Sequence, residues 1–181
     1  CAIVNDMSEL DVDGELIGNT EIVENNSTIL ESINSCVLSS KKGIQKLDQA
    51  IKKLLSNQNP ELIIIETSGS CHPMPLIEYF KGNKQVQLNG VFSLVDSLML
   101  AHDYNYGEYL IPRMQQNITQ GKRDTVNLLV EQIMFCSHLL LTKADRIEED
   151  KLPNVASFIQ QINPHVTTHS VLFGNLEIES L

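Results

Sequence analysis

The chain has 181 residues, 42% of them hydrophobic and 20% charged, enough apolar chain to close one sizeable core and to predict a single domain. Lys and Arg number 13 against 23 Asp and Glu, a formal net charge of −10, and no basic run is present to track phosphates; this argues against nucleic acids and anionic membrane surfaces as partners. No apolar run is longer than Leu62 to Ile65, too short to span a bilayer, and no signal segment opens the chain, so a cytoplasmic location is expected.

Four cysteines, Cys1, Cys36, Cys71 and Cys136, lie far apart with no C-x-x-C pair, which argues against a disulfide framework or a zinc ribbon. The chain opens on Cys1 and the apolar run Ala2 to Val4, which ends at Asn5-Asp6. That start reads as the middle of a strand, so a fragment of a longer protein is expected.

Further apolar runs follow at Leu62 to Ile65, Val91 to Val95 and Leu139 to Leu141. Each ends in a polar cluster: Glu66-Thr67-Ser68-Gly69, Asp96-Ser97 and Thr142-Lys143-Ala144-Asp145. Continuous hydrophobicity predicts strands buried on both faces. Between the runs, Ile44, Leu47, Ile51, Leu54 and Leu55 repeat with a helical period, as do Val126, Leu129, Val130 and Ile133. Asn105 to Gln120 is taken as helix, and Pro112 and Pro153 fall near helix starts. Alternating strands and helices define an α/β class with a mainly parallel sheet, whose ligands gather outside the carboxyl ends of the strands, where the polar clusters fall.

The most specific of these clusters is Thr142-Lys143-Ala144-Asp145, directly after a buried strand. A carboxylate held there accepts from both the ring N–H and the exocyclic amine of guanine, which adenine cannot supply, while a lysine stem covers the base face. Glu66, ending another strand, is placed to act on a Mg²⁺-bound or attacking water, and Gly69 permits the backbone to turn close to a γ-phosphate. The competing reading of Ser68 and Ser70 is a helix cap. Glu9 to Gly14 imitates the start of a calcium loop, but the first position is Glu and the twelfth is Thr20, so that reading is rejected.

In this order the segments resemble the CobW-like GTPases, the metallochaperone branch of the P-loop GTPases that includes relatives of the hydrogenase and urease nickel-insertion proteins. Asn5-Asp6-Met7-Ser8-Glu9 with Asp11 to Leu16 is similar to that family's switch segment, and its Met-Ser form to the branch associated with zinc scarcity. Glu66 to Gly69, Val95-Asp96-Ser97, Gln132-Ile133, Leu141 to Asp145 and Ile162-Asn163-Pro164 match further family segments in order. The resemblance implies a P-loop NTPase-type three-layer sandwich that binds GTP with Mg²⁺, hydrolyses it and couples nucleotide state to passing zinc or cobalt to a client protein. It further implies that Thr142, Lys143, Asp145 and Gly69 bind nucleotide, that Glu66 is catalytic, and that Asp6 and Glu9 serve the switch and Mg²⁺ region.

Two departures qualify this. No G-x-x-x-x-G-K-S/T is present, since Gly121-Lys122 is followed by Arg123 and lacks the upstream glycine. The family's first strand, P-loop and first helix are therefore expected to be missing here, along with its carboxy-terminal domain, and GTP hydrolysis by this chain alone is expected to be weak or absent. Of the family's metal motif N-G-C-x-C-C, the matching Asn34 to Ser39 keeps only Cys36; Cys71, His72 and an acid such as Glu9 could complete a rebuilt zinc site. The competing reading makes Cys36 a small buried hydrophobe and His72 a surface imidazole. Cys136 is expected in the core, and His102, His138, His165 and His169 are read as scattered and as structural or exposed. The rival to the GTPase is a non-catalytic module that binds a protein through the surviving switch surface. Apolar sheet left uncovered predicts aggregation or homo-oligomer formation.

Overall fold

The computed structural model describes residues 1–6 and 30–176, and its chain divides into two compact units, Cys1–Gln85 and Val86–Leu181. In the first unit, β1 (Ala2–Asp6) lies between β2 (Leu30–Asn34) and the short β3 (Ile64–Ile65), all parallel. Helix α1 (Lys41–Asn57) connects β2 to β3, and α2 (Pro73–Gly82) follows β3. In the second, β5 (His138–Thr142) lies between β4 (Phe92–Asp96) and β6 (Thr167–Ser170), again all parallel. Its helices are α3 (Ser97–Tyr104), α4 (Leu110–Thr119), α5 (Thr125–Met134) and α6 (Leu152–Ile162). The parallel α/β class read from the sequence is the one observed.

Helix α1 forms where the 3.6-residue period predicts, burying Leu47, Ile51 and Leu54, and Ser40 caps it by accepting from Gly43 N at 3.0 Å. Helix α5 buries Val126, Val130 and Ile133; Asp124 accepts from Val126 N at 2.9 Å and Asn127 reaches back to the Asp124 N–H. Pro73 and Pro153 sit in the first turns of α2 and α6, where a missing N–H costs nothing. The core of the second unit joins Val95, Leu139 and Leu141 to Leu100, Leu110, Ile133, Val155 and Ile159. Cys136, just beyond α5, belongs to it, and burial pushes its thiol up to about 11.

Several expectations are corrected. The strands are not buried on both faces: Leu94 is 68% exposed and Ile64 63%, while Ser93 and Val95 beside Leu94 are buried. The described helices of the second unit cover the Val95 side of β4 and leave the Leu94 side open. Strands β2 and β6 escape prediction because their sequences, Leu-Glu-Ser-Ile-Asn and Thr-Thr-His-Ser, carry few apolar residues, as edge strands allow. The helix expected over 105–120 is broken: Asn105, Tyr106 and Gly107 have φ of 45°, 58° and 105°, and α4 starts only at Leu110. Glycine is favoured at Gly107 by its φ, and a Cβ there would also crowd Phe158 Cβ at 3.2 Å. Nor are all the histidines scattered, since His138 Nδ1 lies 3.4 Å from His169 Nε2 and Phe92 stacks on His138.

Two buried asparagines do the same job in the two units. Asn5 Nδ2 donates to the carbonyls of Ile33 (2.8 Å) and Cys36 (2.9 Å). Asn163 Nδ2 donates to those of Ile133 (2.9 Å) and Cys136 (2.8 Å). Each closes a turn that ends at a buried cysteine.

Candidate nucleotide site

The register of the second sheet builds the site. Asp96, last residue of β4, lies opposite Thr142, last residue of β5, so both polar clusters emerge at one carboxyl edge. There the Thr142 hydroxyl donates to the Val95 carbonyl at 3.3 Å, tying the two strand ends together. The chain then turns through Lys143, whose φ of 54° and ψ of 30° place a non-glycine residue in the left-handed region. Such a backbone costs on the order of 1–3 kcal/mol and persists where the surroundings enforce it, often at functional sites. Lys143 O accepts from Arg146 N at 3.0 Å, and Ala144 is buried beneath the turn.

The turn leaves Asp145 exposed, with no hydrogen bond or ion pair among the described residues. Its carboxylate is therefore available to a donor pair from outside, as reading guanine requires. The Lys143 side chain, by contrast, is engaged: Nζ lies 2.5 Å from Asp96 Oδ2. The other carboxylate oxygen, Oδ1, accepts from Leu98 N (2.9 Å) and Met99 N (3.2 Å) and so caps α3. The Lys143 hydrogen bond, followed by those from the two amides, holds the Asp96 carboxyl below the usual carboxylate range.

The remaining candidates lie in the first unit. Glu66 follows β3 directly, its backbone N donating to Ile3 O at 2.8 Å, and its side chain is exposed. Cys71 N donates to Ser68 O at 2.9 Å, so the chain after Glu66 closes as a turn; α2 starts after His72 with no side-chain cap, which removes the capping reading of Ser68 and Ser70. Gly69 has no positive φ, and a Cβ there would meet nothing within 4 Å, so the local backbone does not itself require glycine. Asp6 ends β1 opposite Asn34, and Glu9 lies outside the described residues.

Cys36 and Cys71 are buried, and His72 N donates to Ser39 Oγ at 3.1 Å, which joins the turn after β2 to the turn before α2. Among the described residues, no three His, Cys, Asp or Glu side chains are grouped to hold a metal ion. Sequence reasoning places Asp96 only as part of a matched segment; its role in the site comes from the register that sets it beside Lys143.

These parallel sheets with polar carboxyl edges define an α/β nucleotide-binding architecture. A family profile described as "CobW/HypB/UreG, nucleotide-binding domain" matches residues 1–170, and the chain belongs to that family. It is 29% identical over 191 residues to zinc-regulated GTPase metalloprotein activator 1 of Dictyostelium discoideum, covering 94% of this chain and 40% of the relative. It is 28% identical to the zinc chaperone CobW of a Sinorhizobium species, covering 84% of this chain and 45% of that one. The chain thus spans less than half the length of these relatives. Among solved structures it is similar to the Zn(II)-bound YjiA GTPase from E. coli, with a TM-score of 0.56 at 18% identity over 98% of this chain and 51% of YjiA. A Zn(II)-bound triple mutant of YjiA gives a TM-score of 0.60 at 20% identity, over 98% of this chain and 50% of the mutant. At these identities the likeness shows the fold, which is P-loop NTPase-like.

Proposed function

We propose that this chain is the guanine-recognising part of a GTP-dependent zinc chaperone. The observation that carries the reading is the carboxyl edge of β5: an exposed Asp145 without a partner among the described residues, two residues after a lysine held in a left-handed backbone. Asp145 accepts from the guanine N–H groups, the Lys143 stem covers the base, and Thr142 fixes the strand end. Glu66 is the residue assigned to the Mg²⁺ or the attacking water, with Gly69 giving the phosphate room and Asp6 and Glu9 acting in the switch.

Calorimetry on the 181-residue chain with Mg²⁺ tests the assignment. GTP should bind and ATP should bind at least roughly tenfold more weakly, because each unmet hydrogen bond to a charged group is worth about 1.5–3 kcal/mol. Asp145→Ala should remove the preference. Equal affinity for both nucleotides, no binding of GTP, or selectivity unchanged by the substitution would refute it.

Zinc as cargo is supported by the names of the relatives. The donors assigned to it, Cys36, Cys71 and His72, are not grouped to hold an ion among the described residues, so zinc would have to draw them together, with Glu9 lying beyond those residues. Zinc stoichiometry should fall in Cys71→Ala. An unchanged ratio would end this part of the reading without touching the nucleotide site.

A further inference from the structure

The Lys143 ammonium has a partner that is itself immobilised. Asp96 Oδ1 is committed to two backbone N–H groups of α3, which fixes the plane of the carboxylate and aims Oδ2 at Lys143 Nζ. The lysine is thus held at both ends, at its backbone by the left-handed turn and at Nζ by Asp96. An ion pair with its partners 50% and 31% exposed contributes little to stability. What it does is select one orientation of a side chain that otherwise samples many, at a residue whose aliphatic stem is assigned to the face of a base.

We propose that Asp96 is a positioning residue for guanine nucleotides, acting through Lys143 by holding its stem as a preformed platform beside Asp145. The inference rests on the guanine reading above. It assigns Asp96 no contact with the nucleotide: its oxygens stay on α3 and Lys143, and its contribution is to raise the fraction of chains whose lysine is ready. Apparent affinity scales with that fraction, so release of the lysine to a state ready about a tenth of the time weakens binding about tenfold.

Asp96→Asn is the informative variant, because asparagine caps a helix as well as aspartate does and so keeps the α3 contact while removing the charge. Asp96→Ser, which also caps but cannot reach Lys143, serves as a second form. GDP and IDP binding are measured by calorimetry in the wild type, Asp96→Asn, Asp96→Ser, Lys143→Met and Asp96→Asn/Lys143→Met chains, with melting curves on each. Both Asp96 variants should lose about tenfold in affinity for GDP and for IDP alike, leave the ratio between the two unchanged, and melt as the wild type does. In the Lys143→Met background, Asp96→Asn should cost nothing further.

Unchanged GDP affinity in Asp96→Asn overturns the inference while leaving the guanine site standing. So does tighter binding, which would mean that the pair competes with the nucleotide for the lysine. A loss of the same size with and without the Lys143 ammonium overturns it as well, since Asp96 would then act by another route. Absence of GDP binding by the wild-type chain removes the guanine reading and this inference together.

Discussion

Gly43→Ala is expected to unfold or severely loosen the Cys1–Gln85 unit. In most helices the exchange is favourable by about 0.5–1 kcal/mol, because alanine loses less backbone freedom on folding. Here an added Cβ would lie 2.2 Å from Val37 O and 2.6 Å from both Leu38 Cα and Leu38 O. All three are backbone atoms, so no side chain can swing aside. Relief requires the first turn of α1 to part from the Val37-Leu38 turn, which breaks the Ser40 cap and exposes Leu38, a fully buried side chain. Overpacking of this kind costs about 3 kcal/mol or more, well beyond the propensity gain. Denaturant melts should show it, with Gly82→Ala as the control, where a Cβ meets nothing within 4 Å. A Gly43→Ala chain that melts like the wild type would sink this expectation.

The second large effect is expected at Asn163. Alanine there leaves the carbonyls of Ile133 and Cys136 without their shared donor and His165 N without the oxygen it reaches at 3.2 Å. Each buried group left unpaired costs about 1–3 kcal/mol, so a loss of roughly 2–4 kcal/mol is expected after partial relaxation. Asn163→Asp should be at least as damaging at pH 7, because a carboxylate would face two carbonyl oxygens with no proton to offer. Because the two carbonyl oxygens raise the folded-state pKa of this carboxyl above its unfolded value of about 4, stability should recover in part as the pH falls towards about 4, where the protonated carboxyl donates one bond. Urea unfolding of the variant beside the wild type at about pH 7 and about pH 4 separates the cases, and an Asn163→Asp chain with the same deficit relative to the wild type at both would count against the clamp. The clamp bears on the candidate site as well, because the turn it closes launches β5, which ends at Thr142 and the turn through Lys143.

Much of this is legible in the residues. Leu139 to Leu141 and the helix around Val130 declare themselves because their apolar pattern is local, and the Thr142 to Asp145 cluster stands out because it is a polar run directly after a buried apolar one. Pro112 and Pro153, in the first turns of α4 and α6, mark helix starts through a missing donor, another local property. The parts that escape are set by neighbours distant in sequence. Strand β6 is recruited by the edge of β5, not by its own composition. The alternation at Leu94 and Val95 depends on which sheet face the helices cover. Asp96 beside Lys143 is a fact of strand register across 47 positions. Asn163 is recognisable as part of a family segment, but its two carbonyl partners lie 30 and 27 residues upstream, where no short window along the chain would find them.

The parallel pairing of β1 has a consequence for how the polypeptide acquires this fold as it is made. Ala2 pairs with Leu30 on one side and with Ile64 on the other. The central strand of this sheet therefore leaves the ribosome some 62 residues ahead of one of its two neighbours. At about 5–20 residues per second, it waits on the order of 3–12 s with one edge unsatisfied. Closing so long a loop must precede any reward from pairing, which places the first unit among slow-folding topologies. During that interval the nascent Ile3 and Val4 are natural contacts for a chaperone.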